Sequence, residues 1–600
     1  MNLATLMRTL LLAVAVILAG CNAAAPTMDP PRVTRSAPTK QPPPPTPTRS
    51  DAQTPPPATL VDQSAHEAHA APVAAANGTT GKVYAFKQTL ARDQATRTYP
   101  SAPMWLPPTQ PMPGDINREN YTHRDSNPVQ LASAQPVSTF SIDVDTGSYT
   151  NVRRMLNQGR LPPADAVRAE EFINYFDYGY TPPSDRRQPF SVTTELAPAP
   201  WNAQRQLLLI GIQGYRVPAA RIPASNLVFL IDTSGSMNAT DKLPLLKASL
   251  KQLVRELRPQ DRVAIVTYAG YAGIALPSTA GDQRATIEAA IDQLGAGGST
   301  NGGAGIELAY AQAAQGFIQN GVNRVILATD GDFNVGTVNQ EALKTIIEDH
   351  RKSGVALTTL GFGQDNYNDA MAVMLADVGN GSHHYIDSLA EGRRVLVDEM
   401  SATLLTIAKD VKIQVEFNPA QVLEYRLIGY EKRLLRREDF NNDQIDAGEI
   451  GAGANVTAIY EITPRGSAGA RIDPLRYGKS QARGERGNEL AYLRLRYKLP
   501  GQSHSQLLER PIAAQAETES SDRLRYAAAV AAFADALRGG TYLDGYGLAQ
   551  IATLANGARD HDPSGYRAGF VQLVKLADGL STQPHANASA NVTVGDTAVR

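Results

Sequence analysis

A single cysteine, Cys21, stands in 600 residues, so no disulfide forms within the chain and packing alone must hold its folds together. Charge of neither sign is in excess: 57 Lys and Arg against 59 Asp and Glu leave a formal net charge of −2. No sustained Lys/Arg run occurs either, which removes the electrostatic reason to expect a nucleic-acid partner. Catalytic signatures are also missing. There is no G-x-S-x-G elbow, no Walker A phosphate loop, no zinc-ligand spacing and no nucleophile–base constellation, so the chain reads as a binding protein and not an enzyme. The apolar stretch Leu10–Ala19 is too short to span a bilayer comfortably.

That stretch has another use. "MNLATLMRTLLLAVAVILAGC" joins a short n-region carrying Arg8 to a secretory h-region. Its closing Leu18-Ala19-Gly20-Cys21 resembles a bacterial lipobox, in which the cysteine is lipidated and becomes the mature N-terminus. Residues 1–21 are therefore expected to be a lipoprotein signal peptide, with Cys21 anchoring the chain in the cell envelope. By analogy with lipoprotein sorting, Asn22 in place of Asp favours the outer membrane. Residues 22–82, with "QPPPPTPT" and "TPPPA", have too little apolar content to fold and read as a disordered tether. At ~3.1 Å per residue, such a tether reaches roughly 180 Å when extended. His66 and His69 in "SAHEAHA" read as solvated tether residues and not as a metal pair.

Beyond the tether, residues 83–223 mix helix-like "YTNVRRMLNQG" and "ADAVRAEEFINYF" with strand-like "PFSVTTELAPAP" and "RQLLLIGIQGYRV". From 224 to 408 the apolar strands "NLVFLID", "RVAIVTYA", "RVILATD", "VALTTLGFG" and "HHYIDS" alternate with amphipathic helices. Nearly continuous apolar strands separated by helices predict a parallel sheet covered on both faces, a doubly wound α/β unit. "RRVLVDEMSATLLTIA" is expected to be its last helix. From 409 the pattern turns to alternating strands up to about Ala514. Together with the upstream strands they predict a β-sandwich split by the inserted α/β unit. "RLRYAAAVAAFADALRG" opens a helical end to residue 580, and 581–600 read as a loose tail.

The first strand of the α/β unit ends in "LIDTSGSMN", with Asp232, Ser234 and Ser236 at every second position. Ligands of open α/β sheets sit outside the carboxyl ends of the strands. "GAGGSTNGGAG", with Thr300, and "LATDGDF", with Asp330, offer oxygen at the same edge. Hydroxyl and carboxylate donors of this kind suit Mg²⁺, Mn²⁺ or Ca²⁺ and not zinc.

D-x-S-G-S after a buried strand, G-S-T before a helix and T-D-G after a later strand resemble the von Willebrand factor type A domain with its metal-ion-dependent adhesion site. The resemblance spans roughly 224–408. It implies that Ser234, Ser236 and Thr300 ligate through neutral hydroxyls, while Asp232 and Asp330 act largely through water or hydrogen bonds. A cation so held keeps an open position for a carboxylate of a partner protein. Gly235 is expected to permit a tight turn, and Gly297, Gly298, Gly302 and Gly303 to let backbone approach the ion. With "FSIDVDTGSYTNVRRMLN" and "EEFINYFDY", the arrangement is similar to bacterial lipoproteins that carry such a domain. The expected function is a membrane-anchored, metal-dependent protein-binding lipoprotein. An envelope assembly factor with a structural metal, and an envelope hydrolase, are the alternatives.

Three stretches invite other readings. Asp145-Thr146-Gly147-Ser148 matches an aspartic-protease D-T-G-S, and "DVD" the start of a haloacid-dehalogenase phosphatase. The first lacks a second motif and the second an immediate parallel sheet, so a strand end turning into a helix N-cap is expected. "DFNNDQIDAGEI" has Asp439, Asn441 and Asp443 at calcium-loop spacing, but Gln444 and Ile450 stand where glycine and glutamate belong, leaving a surface loop. Of His383 and His384, one is expected to face solvent.

Overall fold

The computed structural model describes residues 118–185, 187–298, 302–331, 340–473, 488–559 and 562–582. Cys21, the tether with His66 and His69, and Thr300 lie outside them. The N-terminal segment contains β1 (Gln130–Leu131), β2 (Val137–Ser141), α1 (Gly147–Asn157), α2 (Ala169–Ile173), β3 (Phe190–Ala199) and β4 (Asn202–Gly214). "ADAVRAEEFINYF" is not one helix. A single turn at Ala164–Ala166 is followed by extended Arg168 (φ −111°, ψ 108°) before α2. The break is tertiary in origin: the Ser148 hydroxyl donates to Ala166 O at 2.6 Å and accepts the Arg168 N–H at 2.9 Å, replacing helical bonds.

The inserted unit contains β5 (Ser225–Asp232), α3 (Leu243–Glu256), β6 (Arg262–Tyr268), β7 (Ala272–Ala280), α4 (Arg284–Gln293), α5 (Gly302–Gln315), β8 (Val322–Thr329), α6 (Gln340–Lys352), β9 (Ala356–Gly361), α7 (Asp369–Val378), β10 (His383–Tyr385) and α8 (Leu389–Arg393). Its six-stranded sheet runs β10-β9-β8-β5-β6-β7. Every residue of β5 and β8 is buried, as central strands with helices on both faces require. Leu250, Leu253 and Ile287 pack on Phe229 and Ile231 from one side. Ile306, Ala309 and Leu343 pack on Val228 and Leu230 from the other. The doubly wound α/β arrangement is therefore present, but the sheet is mixed. β7 runs antiparallel to β6, a strand the apolar pattern conceals because an edge is half-exposed and tolerates Pro277.

The last helical stretch also departs from expectation. α8 ends at Arg393, a π-helical turn spans Arg394–Asp398, and α9 is Met400–Leu404. Arg394 points inward to Glu391 at 3.1 Å and to Tyr175 O at 2.9 Å, and the wider turn accommodates that inward arginine. Thr406 already belongs to β11 (Thr406–Phe417), followed by β12 (Val422–Ile428), β13 (Ile450–Gly451), β14 (Asn455–Pro464), β15 (Glu489–Lys498) and β16 (Gln506–Ala513).

One sandwich sheet runs β1-β12-β14-β4-β3; the other runs β13-β11-β15-β16, with β2 beside β11. Strands from before the inserted unit thus pair with strands after it, β4 with β14 and β2 with β11. Leu208, Ile210, Ile413, Val415 and Tyr460 fill the space between the sheets. Three helices close the fold: α10 (Asp522–Leu537), α11 (Leu548–Gly557) and α12 (Tyr566–Ser581). α10 is buried all round from Tyr526 to Asp535, because α1, α2, α11 and α12 share its core.

Candidate metal centre

β5 stays buried to its last residue, Asp232, and the chain then leaves the sheet through a turn at Gly235–Asn238. Asp232 is held from several sides. Its Oδ1 accepts the Ser234 N–H at 2.8 Å, and its Oδ2 accepts the Tyr268 hydroxyl at 3.1 Å and the Thr329 hydroxyl at 3.4 Å. Burial pushes this carboxyl up to about 6, against the pull of the Ser234 hydrogen bonds. The Ser234 and Ser236 hydroxyls stand 3.0 Å apart; Ser234 is buried and Ser236 exposed. Asp330 follows β8, which pairs in parallel with β5 (Ile231 opposite Ala328). Adjacent parallel strands therefore carry both carboxylates to one edge. Asp330 is fully buried, and its Oδ2 accepts Lys242 Nζ at 2.9 Å.

The glycine-rich loop docks against the comb through backbone. Gly297 N–H donates to Thr233 O at 2.7 Å, and Gly235 N–H to Gly298 O at 3.1 Å. Gly298 takes φ +86°, a conformation that favours glycine. Gly235 does not take a left-handed φ, and a Cβ there would meet Gly298 O at an ordinary 3.6 Å. The turn therefore does not demand glycine at 235, contrary to expectation. Asp232, Ser234, Ser236 and Asp330 share one sheet edge, whereas Thr300 lies in the undescribed gap between Gly298 and Gly302.

The donor set fits a hard cation. Oxygens held about 2.1 Å from an octahedral ion stand about 3.0 Å apart at neighbouring vertices, the separation of the two serine hydroxyls. Lys242, Tyr268, Thr329 and Asn366 escaped the sequence reading. Lys242 left one signal: a lysine at a helix N-cap opposes the helix dipole, and such a broken local rule often marks a functional site. A cavity of about 390 Å³ opens between the α/β unit and the sandwich, bordered by Thr146, Arg324, His384, Arg394 and Glu449. None of the comb residues borders it.

The rival stretches are structural junctions. Carboxylate oxygens of Asp143, Asp145 and Glu171 lie within 4.8 Å of one another, but an ammonium already lies among them. Lys432 Nζ is 2.9 Å from Asp143, 2.6 Å from Asp145 and 3.5 Å from Glu171. The other Asp145 oxygen accepts the His383 N–H at 2.8 Å. Thr146 takes the N-cap position of α1, as expected, but its side chain makes no cap bond, and a buried ion cluster lies at the junction. Neither histidine faces solvent. His383 is 0 % and His384 5 % exposed, because Tyr367 and Thr359 bond the first ring, and Thr146 and Ser382 the second. In the calcium-like loop, Asp443 accepts from Arg496 at 3.1 Å. Among the described residues, no helix is long and apolar enough to cross a membrane.

Family models agree with this architecture. The model for the von Willebrand factor type A domain matches residues 226–393, and one described as von Willebrand factor matches 115–209. The model "Uncharacterized protein YfbK, C-terminal" matches 402–580. The Escherichia coli (strain K12) protein YfbK is 53 % identical over 469 residues, 77 % of this chain and 81 % of that one. The chain belongs to the YfbK family. The protein sll0103 of Synechocystis is 32 % identical over 193 residues, 31 % of this chain and 44 % of its own. Among solved structures, a von Willebrand factor type A protein from Catenulispora acidiphila is 17 % identical. That likeness has a TM-score of 0.36 and covers 64 % of this chain and 89 % of that one. This YfbK-family chain thus carries a type A domain, a kind of domain that suggests protein interaction.

Proposed function

We propose that the comb holds a divalent cation, Mg²⁺ with Mn²⁺ or Ca²⁺ as substitutes, and that the site docks an acidic side chain of a protein partner. The observation that carries this reading is the pair of hydroxyls 3.0 Å apart, above a buried carboxylate and with Ser236 open to solvent. Ser234 and Ser236 would hold the ion, with Thr300 by resemblance, and Asp232 and Asp330 would support it. When bound, the cation supplies uncompensated positive charge and an open coordination position. Asp232 orients the serine turn through the Ser234 N–H, while Tyr268 and Thr329 hold that carboxylate still. The role is binding, not catalysis, in the cell envelope, with Cys21 as the lipid anchor.

Calorimetric titration with Mn²⁺ tests the metal. The wild-type chain is expected to bind one ion, and Asp232→Ala to lose it while keeping its far-UV circular dichroism. Chemical crosslinking in intact cells, with and without chelator, tests the partner. A crosslinked species that persists unchanged in chelator would overturn metal-dependent capture. Labelled fatty acid entering the wild-type chain but not Cys21→Ser tests the anchor.

A further inference from the structure

Lys242 sits at the N-cap of α3, where the helix dipole favours negative charge. Its side chain turns away from the helix to Asp330 Oδ2 at 2.9 Å and Asn366 Oδ1 at 3.0 Å. The contact is internal: the lysine side chain is 8 % exposed and the Asp330 side chain 0 %. The stem lies over Gly363, which has φ +73°, and a Cβ on that glycine would come within 2.1 Å of the lysine Cε. Three parts of the chain therefore shape a slot for this one ammonium: the start of α3, the end of β8 and the loop after β9.

We propose that Lys242 sets the charge of the metal centre, lowering its affinity for the cation and raising the attraction of the loaded site for an acidic ligand. The inference rests on the metal reading above. Two carboxylates, Asp232 and Asp330, balance a divalent ion and leave nothing over. The ammonium beside Asp330 leaves one positive charge in excess, in a setting where water screens poorly. The same ammonium repels an incoming cation. Lys242 acts as a positioning residue through Asp330.

Mn²⁺ calorimetry on the full chain at fixed salt tests this with three variants. Lys242→Gln keeps a donor for Asp330 and Asn366 but drops the charge, Lys242→Met drops both, and Lys242→Arg keeps the charge. Mn²⁺ is expected to bind at least about tenfold more tightly to Lys242→Gln, as loss of a near unit charge implies. Lys242→Arg should stay within about threefold of wild type on the same grounds. The rise in melting temperature on adding Mn²⁺ should also be larger for Lys242→Gln. Should Lys242→Met fail to fold in chelator, Lys242→Gln carries the test. Wild-type binding with equal or weaker binding by Lys242→Gln would overturn the role of Lys242 alone. No Mn²⁺ binding by the wild-type chain or by Lys242→Gln would overturn this role and the metal reading together.

Discussion

Arg168 and Asp369 meet across 201 residues of sequence through two hydrogen bonds, of 2.6 and 3.0 Å. Arg168 belongs to the N-terminal segment and Asp369 opens α7 of the type A domain, so the pair ties the inserted unit to the part of the chain that precedes it. Burial raises the Asp369 carboxyl, but the charge and hydrogen bonds of Arg168 outweigh it and hold the group below the usual carboxylate range.

Removing Arg168 leaves the buried Asp369 carboxylate without its guanidinium, whereas removing Asp369 leaves Arg168 still paired with Glu171. Arg168→Met is expected to cost about 3–5 kcal/mol of stability, and Asp369→Asn less. The double variant should cost less than the sum of the two. Urea unfolding of all four proteins checks both statements, and strict additivity would deny the coupling.

His384 supplies a pH dependence. Burial pushes its imidazole down to about 4. The unfolded chain takes up a proton near pH 6.5 that the folded chain refuses, so stability present at neutral pH is lost as the pH falls from about 6.5 toward 4. His384→Gln is expected to flatten this window in urea midpoints measured at successive pH values. A profile as steep as that of wild type would contradict the assignment.

Glu170 acts in the opposite sense. Burial, reinforced by Glu431 and Asp143, raises its carboxyl to about 8, while its Oε2 accepts the Tyr430 N–H at 2.9 Å. Between about pH 4.5 and 8 the unfolded chain is ionised here and the folded chain is not, so this group costs stability increasingly as the pH rises. The stability of Glu170→Gln relative to wild type should therefore climb from pH 5 to pH 8 and level off above. Thermal melts across that range decide it.

The helical end should prove part of the main core. The Phe533 ring lies 6.1 Å from Phe172 and 5.4 Å from Phe570, centroid to centroid, joining α10 to helices from both ends of the described chain. Phe533→Ala is expected to cost about 3–5 kcal/mol, read from urea unfolding followed by circular dichroism. A change below about 1 kcal/mol would mean that α10 is dispensable to the core.

Local patterns sufficed where periodicity and chain order carry the information. The unbroken apolar runs of β5 and β8 announce central strands because only a doubly covered sheet buries every position. The oxygens of Asp232, Ser234 and Ser236 are legible because they follow such a strand directly. β7 was not legible, since an edge strand with Pro277 lacks the apolar signature. The break in the last helix was hidden too, because the inward turn of Arg394 depends on Glu391 and on the distant Tyr175 carbonyl.

The sequence by itself determined the two architectures, the order in which they interrupt one another, and the oxygen chemistry at the strand ends. These follow from side-chain period and from the residues flanking each strand. Only the tertiary structure decided where the charges go: Lys242 on Asp330, Lys432 among three acids, and both histidines in the interior. These two lysines pair with residues tens to hundreds of positions away, and burial is a property of what packs on a residue, so no local window contains either.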